Sequence, residues 1–179
     1  MKQLDAMRRF SEYDQKGRYV YALSDLRKIF HEDNETALRA GINRLIKDGI
    51  LVRASNGVFV YALAQSKDSN TLEQIAQTIR RGEYNYVSLE SALSEYGAIS
   101  QILIDRLTVI TTGRSGEFKT PFGTIEFTHT KRSIIDILNN SVEVGRPLRL
   151  ATLNAALRDL KQVGRNLHLV DYEVINENE

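Results

Sequence analysis

Two groups of residues in the 179-residue chain have the types and spacing to do chemistry. The first lies between Glu35 and Lys47. At about 100° per residue along a helix, Thr36, Arg39, Ala40, Asn43 and Lys47 share one face, and Leu38, Ile42, Leu45 and Ile46 share the opposite one. The polar face suits the edges of base pairs. Arg can bond guanine bidentately, Asn can bond adenine in the same way, and Ala or a Thr methyl can meet the thymine methyl. Arg44 and Lys47, towards the end of the segment, suit phosphates, which position a protein on DNA without reading it. Arg53 and Asn56, a few residues on, are candidates for a backbone or minor-groove contact.

The second group is Asp105, Glu117 and Lys119, a carboxylate followed by E-x-K. Metal-dependent nucleases use two acidic groups and a Lys in this relation, because a divalent cation needs hard oxygen ligands and the Lys can steady the phosphate or the attacking water. Glu117 follows "GRSG" at a hairpin mouth, where a charged pair is ordinarily solvated. The three His residues, His31, His129 and His168, have no paired spacing that suggests a metal site. "TTGRSG" (111–116) reads as a plain turn before it reads as an anion nest. Neither a Walker loop, a dinucleotide-binding glycine motif nor a nucleophile elbow occurs, so neither catalysis nor a bound cofactor is expected.

The elements around the first group are legible from periodicity. "ALRAGINRLIKDGILVRASNGVFVYAL" (37–63) changes at Asp48-Gly49 from helical spacing to strand alternation, broken by the turn residues Ser55-Asn56-Gly57. Before it, the spacing predicts a helix over 2–15 ended by Gly17, a strand in "RYVYAL", and a brief helix with Ser24 as N-cap through Phe30. Asp33 or Asn34 can cap the helix over 35–47. This order, ending in a hairpin joined directly to the third helix, is that of a winged helix-turn-helix over 1–66. Such a module can also dock proteins.

Residues 64–71, "AQSKDSNT", are polar and aperiodic, and predict a linker. Beyond it a second α+β domain is expected over 72–179. It would have helices in "LEQIAQTIRRG", "YVSLESALSEYG", "KRSIIDILNN" and "RLATLNAALRDLKQV", a strand in "RLTVITTG", a hairpin in "EFKTPFGTIEFTHT" and a last strand in "NLHLVDYEVI". The fold class is therefore α+β in two units.

Bulk composition narrows the field. At 42% hydrophobic and 26% charged, the chain matches ordinary soluble globular proteins. The absence of Cys excludes thiolate metal sites and thiol catalysis, and fits a reducing compartment. "MKQLDAMRRF" has no apolar core of a signal peptide, and no apolar run is long enough to span a bilayer, so a cytoplasmic protein without membrane contact is expected. Residues 1–66 carry eleven Lys and Arg against eight Asp and Glu, while the remainder is slightly acidic. A basic first third accords with nucleic-acid contact.

The second unit carries "YVSLESALSEYGAISQ" (86–101) and "LTVITTGRSGEFKTPFGTIEFTHT" (107–130). The pattern is Tyr86-x-Ser88 opening an alanine-bearing helix, Gly97 ending it, a "TTGR" strand end, and G-x-I-x-F-x-H from Gly123 to His129. It resembles the AbiEi-type antitoxins of bacterial abortive-infection, type IV toxin–antitoxin systems, which serve in phage defence and also begin with a winged helix. The resemblance implies a repressor that binds inverted repeats of duplex DNA in its own promoter. It also implies a C-terminal domain that counters a nucleotidyltransferase-like toxin without a stable complex. The winged-helix roles carry over to Thr36, Arg39, Asn43, Lys47 and Arg53. Two departures stand out: many relatives have a Pro where this chain reads Ile102-Leu103, and many are longer. A stand-alone winged-helix regulator without antitoxin activity, and a nuclease built on Asp105, Glu117 and Lys119, remain alternatives.

Overall fold

The computed structural model describes residues 1–100 and 104–178, and the Ile102-Leu103 departure lies outside them. The protein is mixed α+β, and its chain divides into two compact units, Met1–Ile79 and Arg80–Glu179.

The first unit runs α1 (Gln3–Asp14), β1 (Val20–Ala22), α2 (Leu23–Ile29), α3 (Glu35–Lys47), β2 (Leu51–Ser55), β3 (Val58–Tyr61) and α4 (Thr71–Ile79). Its sheet is antiparallel in the order β1-β3-β2. Phe10 of α1 centres the core, with ring centroids 5.2 Å from Tyr21, 5.7 Å from Phe30 and 5.3 Å from Tyr61. Leu26, Leu38, Ile42 and Leu45 close over the same interior. Burial of apolar faces, worth roughly 1.5–3 kcal/mol per large side chain, holds these short elements together.

Two local expectations need correction here. α2 starts at Leu23, so Ser24 is not its cap. The Asp25 carboxylate accepts instead from the Ala22 N–H at 2.8 Å, reaching back from the third helical position. The helix at 71–79 packs on β1 within the first unit, although its sequence position suggested the second. Ile75 and Ala76 are fully buried, and the Thr71 hydroxyl lies 2.9 Å from that of Tyr19. The polar 64–66 stretch is tied to Asp14, which accepts from Gln65 N at 2.7 Å, Ser66 N at 3.1 Å and the Ser66 hydroxyl. An aperiodic sequence gives no sign of such bonds.

The second unit contains β4 (Asn85–Val87), α5 (Leu89–Glu95), β5 (Arg106–Thr111), β6 (Gly116–Thr120), β7 (Gly123–His129), α6 (Ile134–Asn139), β8 (Ser141–Val142), β9 (Arg149–Ala151), α7 (Leu153–Val163) and α8 (Tyr172–Asn176), with a 3-10 turn at Leu167–Leu169. The sheet order is β6-β7-β5-β4-β9-β8, with β5/β7 and β4/β9 parallel and the other pairs antiparallel. α5 packs against α7. Val87, Leu93, Val109, Ile125, Phe127 and Leu160 form the interior.

Three predicted elements differ. "YVSLESALSEYG" begins as a strand, and the chain turns into α5 through Leu89, a buried non-glycine residue at φ 57°. "RLATLNAALRDLKQV" likewise opens as β9, and Thr152 then caps α7 by accepting from Ala155 N. "NLHLVDYEVI" is not a strand. It makes one isolated bridge, Ile99 to Val170, and Asp171 then starts α8.

Candidate nucleic-acid interface

α3 is well specified by its ends. The Asn34 carboxamide oxygen accepts from Ala37 N at 2.8 Å at the start, and Gly49 at φ 71° lets the chain reverse after Asp48. Leu38, Gly41, Ile42 and Leu45 point into the core. Thr36, Arg39, Ala40, Asn43, Arg44 and Lys47 are all exposed. Glu35, Arg39, Asn43 and Lys47 recur every four residues and form one charged and polar stripe.

The hairpin adds its own groups. Asn56 and Gly57 form the turn, with Gly57 at φ 72°. β2 is paired normally through Arg53 to Phe59, and the register then skips so that Ser55 faces Val58, leaving Ala54 as an extra residue. Arg53 is exposed, and its guanidinium carbon sits 5.1 Å from the centroid of the Phe59 ring.

Arg39 and Asn43 from α3 and Arg53 and Asn56 from the hairpin line a single cleft of about 140 Å³, floored by Leu23, Ile42 and Phe59. Four of the seven candidate residues therefore converge. Thr36 and Lys47 lie on the same helix face outside the cleft. Arg44 takes a different flank: its guanidinium donates to the Met1 carbonyl at 3.1 Å, and it lines a separate cleft with Gly41 and Leu45.

Two residues that sequence reading passed over belong to this surface. Glu35, in the first turn of α3, accepts from Arg27 of α2 through Nε and Nη2, both at 3.0 Å. The same carboxylate accepts from Arg39 Nε at 2.9 Å and pairs with Arg39 Nη2 at 2.9 Å. The hydrogen bonds from Arg27, followed by the charge of Arg27 and then the hydrogen bond and charge of Arg39, pull the Glu35 carboxyl down to about 2. It is a carboxylate at every physiological pH. The spacing of Glu35 and Arg39 is a visible signal of the pair, whereas the approach of Arg27 from α2 is tertiary.

The alternative group is arranged differently. Asp105 and Glu117 are exposed, with Asp105 at φ 55° before β5. Glu117 and Lys119 lie on the exposed face of β6, an edge strand. Glu117 is engaged by Arg106 at 2.9 Å, and Arg106 also holds Glu126 at 2.5 Å. Among the described residues, no group of three or more His, Cys, Asp or Glu side chains is placed to hold a metal ion. In "TTGRSG" it is a carbonyl that points at a cation: the Arg114 carbonyl accepts from Arg80 Nε at 3.0 Å, and Arg80 lies 4.6 Å from the Phe127 ring centroid. That is the reverse polarity of an anion nest.

His31, His129 and His168 are exposed, and the His129 Nδ1 lies 2.7 Å from the Gly113 carbonyl. Among the described residues, no helix is long and apolar enough to cross a membrane. Comparison with protein-family models and with curated proteins returns no match.

Proposed function

We propose that the first unit is a winged helix-turn-helix, with α2 and α3 as the helix pair and β2–β3 as the wing, and that the protein is a DNA-binding repressor that doubles as a type IV antitoxin. The observation that carries this reading is the cleft where Arg39 and Asn43 meet Arg53 and Asn56. Recognition of duplex DNA needs a protruding helix face with base-edge chemistry, flanked by a cation for the adjacent backbone. In this assignment Arg39 and Asn43 read bases, Lys47 holds a phosphate, and Arg53 with Asn56 follows the neighbouring backbone. Thr36 meets the groove at the helix start. Arg44, turned towards Met1, serves the backbone on the opposite flank.

The antitoxin role rests on the resemblance of the second unit to AbiEi-type proteins. No cofactor is assigned, and the proposed partners are promoter DNA and a nucleotidyltransferase-like toxin. Gel shifts on the chain's own upstream DNA test the first part. Arg39→Ala should cost about 1–3 kcal/mol on the cognate site and relax specificity there, whereas Lys47→Ala should weaken all sequences evenly and flatten the salt slope by about one. Equal losses on cognate and scrambled DNA for Arg39→Ala would remove it from base reading. Co-expression with a neighbouring nucleotidyltransferase-like reading frame tests the second part: growth rescue that survives Arg39→Ala separates antitoxin action from repression.

A further inference from the structure

A carboxylate on a surface built to approach phosphates requires explanation, because it repels the backbone it faces. Glu35 occupies the first exposed turn of α3, one helical turn before Arg39. Its Oε1 accepts from Nε of Arg39 and lies 2.9 Å from Nη2, so the reading side chain, though 61% exposed, is tethered towards the start of the helix. Glu35 is itself held from outside α3 by the two N–H bonds of Arg27. The three side chains form a chain of contacts from α2 to the reading residue.

An Arg guanidinium carries five N–H donors, and here the Nε–H is hydrogen-bonded while Nη2 lies in ionic contact with the same oxygen. The one N–H on Nη1 and one on Nη2 that face away from Glu35 form the forked edge that matches the O6 and N7 acceptors of guanine. The same carboxylate that aligns the fork also disfavours a misplaced backbone. It lowers affinity for every sequence and leaves the aligned contact as compensation at one base pair. Specificity is a difference of affinities, and this device acts on both sides of it.

We infer that Glu35 is a positioning residue that sets the sequence specificity of Arg39, with Arg27 as its anchor on α2. The inference rests on the DNA-reading role proposed above. The full-length chain should be used to select sites from a randomised duplex pool, and the ratio of affinities for the selected and scrambled duplexes should then be measured for the wild type and two variants. Glu35→Gln removes the charge and keeps the shape; it should lower the ratio about tenfold while affinity for scrambled DNA holds or rises. Arg27→Gln leaves α3 untouched and should shift the ratio in the same direction.

A merely structural role would lower both affinities together. A Glu35→Gln ratio equal to that of the wild type, or a parallel loss on both duplexes, overturns the inference while the wild type still selects a motif. An Arg27→Gln ratio equal to wild type overturns the anchor. A wild-type pool that stays random instead removes the base-reading role itself.

Discussion

Asp14 is 7% exposed at the end of α1, yet it accepts from two backbone N–H groups and a hydroxyl of residues 65 and 66. Burial opposes its ionisation, and the bonds from Ser66 and Gln65 outweigh burial, leaving the carboxyl below its ordinary 3.8. A depressed carboxyl contributes stability that is present above the unfolded value and is lost as pH falls through the folded one. Asp14→Ala should therefore cost about 1–3 kcal/mol near neutral pH in urea denaturation. The difference between variant and wild type should shrink below pH 3.8. A gap that stays constant to pH 2 would assign the loss to packing.

At this scale the exposure of Thr36, Arg39, Asn43, Arg44 and Lys47 could be read because polarity and helical spacing already separate the two faces of α3. Arg44 could not be placed, since its partner is a backbone carbonyl 43 residues away. Arg27 was missed for the same reason: nothing local connects it to Glu35.

Elements with one dominant period were legible, while those joined without a turn residue were not. α3 and the β2–β3 hairpin agree with the sequence reading because Asn34, Gly49 and Asn56-Gly57 punctuate them. β4 and α5 were merged into one helix because the junction uses Leu89 at positive φ where a Gly or Pro would have announced a break. β9 and α7 merged similarly, since Leu150, Ala151 and Leu153 continue a helical-looking stripe across the Thr152 cap.

The extra residue in β2 belongs to this scale too. A bulge increases local twist and redirects the strand end, here the segment that carries Asn56 to the cleft shared with Asn43. Deleting Ala54 restores ordinary pairing and removes the local bend that aims the hairpin tip at the cleft. The deletion should abolish or strongly weaken DNA retention while far-ultraviolet circular dichroism stays near wild type. Retention unchanged in a gel shift would show that the hairpin tip is dispensable.

The division of the whole chain was anticipated in number but not in position. Composition pointed to a break over 64–71, yet the first unit extends through Ile79. The cause is a set of non-local bonds: Asp14 to 65–66, Tyr19 to Thr71, and the buried Ile75 and Ala76. A fragment of residues 1–66 lacks α4 and exposes what that helix covers, so it should lose on the order of 3 kcal/mol relative to 1–79. For a domain of this size the loss corresponds to a melting temperature lower by more than about 10 °C. Coincident melting of the two fragments would make α4 a passenger.

The six-stranded sheet of the second unit ends on β6 with Glu117 and Lys119 outward, a charged margin of the kind that discourages edge-to-edge pairing with another chain.

Arg53 lies over a Phe59 ring that is only 2% exposed and cannot move aside. The stack biases its orientation before any encounter. A long cation on a hairpin ordinarily loses rotational freedom on contact and weakens the association by that amount. Here the stack restricts part of that freedom in the unbound protein. On the DNA-binding reading proposed above, the hairpin would meet a phosphate with its stacked guanidinium already partly ordered.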